Sequence, residues 1–207
     1  SIDPSHSRVG FSVRHAMISK VRGHFGDVEG SGEFDAEAPR NSQLSITIKS
    51  ASIDTGNADR DAHVRNADFL DVETYPTITF ASTSIDASGD GSFAVTGDLT
   101  IKGVTKPVTF DVELGGSAVD PWGHTRLGLE GRAVVSRKDW GLTWNAALET
   151  GGVIVSDKVT LEFEVEPSPR YVVVDGDEQR LIAEARSNPT ERRRLQRVVR
   201  DGNAAKD

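Results

Sequence analysis

The sequence predicts an all-β protein, an eight-stranded antiparallel barrel with a short helical loop insertion and a C-terminal helical extension. Three observations carry the prediction. Apolar and polar residues alternate with a period of two through most of residues 1–166. Short turn sequences rich in Gly, Pro, Asn and Asp separate the alternating runs. After Glu166 the spacing of apolar residues becomes helical.

The runs follow one another in order. Val9, Phe11 and Val13 alternate with Arg8, Gly10, Ser12 and Arg14, and Val28 and Phe34 share a parity with Gly30 and Gly32. Leu44, Ile46 and Ile48 form a third run, and Ile78 and Phe80 a fourth. Phe93, Val95, Leu99 and Ile101 form the fifth, and Val108, Phe110, Val112 and Leu114 the sixth. Leu127, Leu129, Ala133 and Val135, then Val159, Leu161, Phe163 and Val165, complete the eight. Between them, Ala38–Pro39–Arg40–Asn41 and Ser88–Gly89–Asp90–Gly91 accept tight or left-handed geometry. Lys102 to Pro107 reads as a short hairpin, and Gly115–Gly116 as the close of a strand. Short links mean antiparallel, meander-like pairing.

One segment breaks the alternation. Asp54 to Pro76 is polar, and residues 58–65 have room for about two helical turns behind Asn57 as N-cap. Pro167 and Pro169 mark a linker, so the domain boundary is placed at 1–166 and 167–207. Within the tail, Leu181, Ile182 and Ala185 recur at helical spacing. Thr190 can cap a second helix that ends at Gly202. That extension is too short for a core of its own.

Composition narrows the chemistry. Residues 1–166 hold 15 Lys and Arg against 25 Asp and Glu, a charge of −10, whereas residues 167–207 carry +2. Such an acidic domain repels phosphate backbones, so nucleic acid is not an expected partner. No apolar run reaches the ~18 residues of a transmembrane segment. Cysteine is absent, which removes disulfides, thiolate nucleophiles and cysteine metal sites. The compartment stays open: cytoplasmic if Ser1 is the native start, periplasmic or extracellular if a signal peptide was removed. A homodimer is compatible with the sequence.

Eight strands with one apolar face each must bury that face, in a two-layer sandwich or in a sheet closed on itself. Closure removes exposed edges. The interior is then either packed or hollow. Gly30, Gly32, Gly97 and Gly131 on the inward parity favour a hollow, although glycines also serve strand curvature, and periodicity leaves both readings open.

Several segments resemble the YceI-like, polyisoprenoid-binding family. They are Ile2-Asp3-Pro4-Ser5-His6-Ser7 with Val9 to His15, Val21 to Gly30, and Ala51 to Asn57 leading to Arg60-Asp61-Ala62-His63-Val64 and Asp68-Phe69-Leu70-Asp71-Val72. Tyr75 to Phe80, Gly97 to Val108 and Ser136-Arg137-Lys138-Asp139-Trp140-Gly141 continue the match in order. The resemblance spans residues 2–166 and implies a lipocalin-like barrel whose tunnel takes a long amphiphile, a polyisoprenoid chain or isoprenoid quinone. It also implies a bacterial setting in isoprenoid metabolism, transport or stress response. Residues 167–207 have no counterpart in it.

The candidate ligand walls are the inward set: Phe11, Val13, Phe34, Ile46, Phe80, Leu99, Ile101, Phe110, Leu129, Leu161 and Phe163. Burying ~400–800 Å² of apolar ligand at ~25 cal/mol/Å² gives on the order of 10–20 kcal/mol before ordering costs. His15 ends the inward parity of the first strand, where an imidazole can hydrogen-bond a carbonyl or hydroxyl at the tunnel mouth. Arg60, Asp61 and His63 are expected to lock the helical loop or gate the entrance. No cofactor is implied. The five His show no ligand spacing for a metal. A nucleophile elbow is missing, and no pair of carboxylates stands out, so no catalytic residue is assigned. The rival reading is a ligand-free interaction module using barrel and tail, in which Arg192, Arg193, Arg194, Arg197 and Arg200 could reach a partner or anionic lipid. That reading requires a filled interior.

Overall fold

The computed structural model describes residues 7–16, 18–33, 38–89, 91–119, 125–149 and 152–166, with the backbone alone for 116–119 and 125–127. Phe34 and the expected tail helices lie outside the described residues.

Among the described residues ten antiparallel strands form one sheet curled into a half-barrel: β1 Arg8–His15, β2 Ser19–Phe25, β3 Val28–Glu33, β4 Gln43–Lys49, β5 Ile53–Asp54, β6 Thr77–Gly89, β7 Ser92–Ile101, β8 Val104–Val119, β9 Thr125–Ser136 and β10 Val155–Val165. Their order is β3-β4-β6-β7-β8-β9-β10-β1-β2-β5. From β6 to β10 it is the meander that short turns dictate. The first strand then pairs with the last, Phe11 opposite Leu161.

The all-β class stands, and the strand count rises from eight to ten. The two additional strands are β2 and β5. In β2 the inward face is Val21, Gly23 and Phe25, too thin a stripe for alternation to register, and β5 is two residues long. β2 and β3 are one run bent at Gly26–Asp27, where Gly26 N–H donates to the Ser52 carbonyl (3.1 Å) and Lys49 N–H to the Asp27 carbonyl (3.0 Å). The first half pairs with β1 and the second with β4, so the chain itself crosses the seam between the sheet's two ends. At the same corner Lys49 Nζ lies 2.7 Å from Asp27, whose hydrogen bond and charge raise the ammonium's pKa.

Two turn assignments need correction. Only Lys102 and Gly103 turn the β7–β8 hairpin. Ile101 faces Val104, and φ is positive at both turn residues (49° and 73°), which suits the twist of the flanking strands. Thr105, Lys106 and Pro107 already belong to β8. Gly115–Gly116 does not end a strand; the register with β9 slips between Leu114 and Ser117, a bulge inside β8. Pro107 is tolerated because the β8–β9 ladder starts only at Asp111, leaving its missing N–H without a strand to bond.

Packing is uneven around the curl. Ile48, Ile78, Phe80, Ile85, Phe93, Val95, Leu99, Val108, Phe110 and Val112, all from β4 and β6–β8, are buried in one cluster. Val9, Phe11, Phe25, Val28, Leu161 and Phe163, from β1–β3 and β10, are only partly covered. A 3₁₀ turn, Arg137–Trp140, follows β9 and ends at Gly141 in the left-handed region (φ 73°). It drives Trp140 (2% exposed) into the packed half, where Nε1 donates to the Leu99 carbonyl at 3.1 Å. Among the described residues no helix is long and apolar enough to cross a membrane.

Candidate functional site

The curled sheet surrounds a cavity of about 730 Å³, lined by buried and partly covered strands alike, inside the roughly 300–1,000 Å³ typical of small-molecule sites. Eleven of the twelve residues expected to contact a ligand line it: Phe11, Val13 and His15 from β1; Ile46 from β4; Phe80 from β6; Leu99 and Ile101 from β7; Phe110 from β8; Leu129 from β9; and Leu161 and Phe163 from β10. The twelfth is Phe34, outside the described residues. The parity of each strand places these side chains, and ladder partners such as Phe11 and Leu161 put them side by side on the wall.

The inward glycines have a different part from the one their size suggests. A Cβ on Gly23 would meet the Phe11 ring at 2.6 Å, and one on Gly97 would meet the Phe80 ring at 2.5 Å. The Phe163 ring likewise occupies the Cβ position of Gly131. Each ring therefore leans across a neighbouring strand and lies along the wall instead of projecting into the lumen. Glycine opens the space indirectly, by giving a phenyl ring somewhere to lie down. Phe80, Phe110 and Phe163 then run as a belt, with centroids 5.3 and 5.6 Å apart. These are ordinary separations for attractive ring pairs.

One end of the cavity is closed by a short helix, α1 Ala58–Arg65. Asn57 caps it as expected, its side chain accepting from Arg60 N–H at 2.9 Å. Asp61 is buried and does not line the cavity. Its Oδ1 accepts from Thr55 N–H (2.9 Å) and Thr55 Oγ1 (2.5 Å). Arg60 lines the cavity and reaches no distant carboxylate among the described residues; it donates through Nε to Thr55 Oγ1 and through an Nη to the Thr55 carbonyl, both at 2.8 Å. Arg65 bonds the carbonyls of Ala51 (2.9 Å) and Ile53 (2.6 Å). The helix is thus strapped along residues 51–55 by three polar side chains, Arg60, Asp61 and Arg65. Replacing Asp61 with Ala leaves two donors of Thr55 without their carboxylate. The expected loss is about 1.5–3 kcal/mol in denaturant titration.

His63 also lines the cavity. Its Nε2 is 3.1 Å from Asp68, and its ring meets Phe69 and Trp144 edge-on at 5.1 and 4.5 Å. This cluster joins α1 to the loop after β9 across the cavity's end. The exposed lining residues Arg14, His15 and Asp59 mark an opening beside it.

Thr55, Arg65, Trp144 and Arg137 escaped sequence reasoning as site residues. Arg137 belonged to a recognised segment, but its direction was illegible. It is 5% exposed and lines the cavity. Nε donates to the Ser156 carbonyl (3.1 Å), and one Nη donates to the carbonyls of Leu142 and Trp144. The second Nη has no hydrogen-bond partner among the described residues and lies 3.7 Å from Asp157. Burial pulls the guanidinium's pKa below its ordinary value, and Asp157 partly restores it.

The site is thus an apolar lumen with polar groups toward its ends, Arg60, His63 and Arg137 near α1 and Ser31, Glu33 and Gln43 on β3 and β4, and known proteins share its frame. Residues 1–167 match the YceI-like domain. A UPF0312 protein of Ectopseudomonas mendocina is 43% identical over 153 residues, covering 73% of this chain and 80% of the relative. The crystal structure of BcnA from Burkholderia cenocepacia superposes with a TM-score of 0.72 at 26% identity, covering 81% of this chain and all of that one. A polyisoprenoid binding domain from Saccharophagus degradans shares the fold at a TM-score of 0.56 and 16% identity, over 77% of this chain and 92% of its own. With its motifs, its curled sheet and its full-length domain match in agreement, the chain belongs to the YceI-like family.

Proposed function

We propose that the protein binds, stores or carries a long-chain amphiphile, a polyisoprenoid or isoprenoid quinone, and does no chemistry on it. The observation that carries this reading is the cavity of about 730 Å³ between aliphatic and aromatic walls, with polar side chains confined mainly to its ends. Such a lumen favours a ligand through area alone, at about 0.8 kcal/mol for each CH₂ it buries. The isoprenoid tail lies along Phe11, Ile46, Leu129 and Leu161, and the head group sits at the α1 end near His15, Arg60 and Arg137. The polyisoprenoid-binding description of a structural neighbour supports the same class of cargo. The ligand-free interaction module required a filled interior, which a cavity of this size disfavours.

Organic extraction and native mass spectrometry of purified protein test the reading. A prenyl lipid is expected to co-purify. Added prenyl alcohol or quinone at about a hundredfold above Kd should stabilise the fold by about 2.7 kcal/mol. That corresponds to roughly 5–10 °C in Tm. No extractable lipid together with no shift in Tm refutes the proposal.

A further inference from the structure

We propose that the β1–β2 hairpin tip docks on an anionic lipid bilayer and seats the cavity's opening against it. The tip carries Ile18, 86% exposed, the most exposed of the large apolar side chains among the described residues. The backbone beside it is anchored. Ala16 takes a left-handed backbone (φ 50°) and donates to the Ile154 carbonyl at 2.8 Å, while Ile18 N–H returns to the His15 carbonyl at 3.1 Å. Val153, next to that anchor, is also exposed.

The charge around the tip runs against the rest of the domain. Arg14 and Lys20 face each other directly across the β1–β2 ladder, and Arg22 lies opposite Ser12 on the same outer parity. Like charges placed opposite one another weaken a sheet. Among the described residues, none of these three cations has a carboxylate partner. The acids nearby are committed or offset: Asp157 is 2.7 Å from Lys138 and 3.7 Å from Arg137, Asp54 faces His24, and Asp59 sits on α1. In a domain of charge −10, solubility does not call for a bare cationic cluster beside an exposed isoleucine. A bilayer with anionic head groups answers both features: phosphates take the cations, and the interfacial layer takes the apolar tip. Continuity supplies the orientation. Arg14 and His15 belong to the hairpin, line the cavity and are exposed, so a docked tip brings the opening to the lipid. Docking stands without the carrier reading; only its purpose, cargo exchange with the membrane, rests on it.

Co-flotation of the full chain with vesicles tests the proposal. Binding is expected to an equal mixture of phosphatidylcholine and phosphatidylglycerol, and not to phosphatidylcholine alone. Lys20→Glu combined with Arg22→Glu should lower partitioning by at least about tenfold. Ile18→Asp should lower it too, while Val134→Asp, on the exposed outer wall, should leave it unchanged. Thermal midpoints of the variants confirm folding. Absent binding to the mixed vesicles, equal binding to both compositions, or a loss in Val134→Asp matching that in Ile18→Asp overturns the proposal. Extracting the same preparations separates the two ideas: lipid recovered from a protein that ignores anionic vesicles retires the docking tip alone. Docking by a protein that yields no lipid keeps the tip and counts against the carrier.

Discussion

Replacing Trp140 with Ala is expected to destabilise the protein by about 3–5 kcal/mol, the cost typical of truncating a core aromatic. The indole stands where β8 and β9 have not yet joined, their ladder starting only at Asp111 and Arg132. It is 2% exposed and donates to Leu99, a carbonyl of the packed half. Truncation therefore opens a void and removes the side-chain donor to the Leu99 carbonyl together. In a domain of this size the change is roughly 10 °C in Tm. Trp140→Phe keeps most of the volume and forfeits the N–H, so its loss should be nearer about 1 kcal/mol. Denaturant titration of both variants checks the account; a loss below about 1 kcal/mol for the alanine variant contradicts the role given to the indole.

The second large effect concerns cargo. Ile46→Trp together with Leu161→Trp places two indoles where the wall side chains are only partly covered and face the cavity. Overpacking normally costs about 1–3 kcal/mol, but here empty space receives the rings. Stability without cargo is expected to hold or rise. Ligand binding should move the other way. Displacing one five-carbon isoprenoid unit forfeits about 0.8 kcal/mol per carbon, so affinity should fall by about a hundredfold or more. Fluorescence titration with a prenyl quinone, beside thermal denaturation, reads the two effects separately. Unchanged affinity means that the ligand does not use this lumen.

Much of this architecture is legible in the residues. Period-two alternation places the apolar wall correctly strand by strand, because a strand's side chains have only two faces to choose between. Asn57 is readable as a cap because capping is local chemistry. The failures share a cause. β2 hides because Gly23 occupies the middle of its inward face, and β5 because two residues show no period. Gly131 reads as a vacancy, whereas its space belongs to Phe163 on the next strand, a contact between residues 32 positions apart. Arg137 and Trp140 share one motif and both line the cavity, yet Arg137 bonds the carbonyls of Ser156, Leu142 and Trp144, whereas Trp140 reaches the Leu99 carbonyl. Local pattern fixes which face a residue takes; what it meets there depends on sequence far away.

The uneven packing has a consequence for the protein without a ligand. Burial is deepest in the cluster from β4 and β6–β8 with Trp140, whereas the cavity-facing side chains of β1–β3 and β10 are only partly covered. A container built this way does not need its contents to keep its shape. On the carrier reading proposed above, loading and unloading are then events of the less buried flank, and a molecule without ligand keeps its fold.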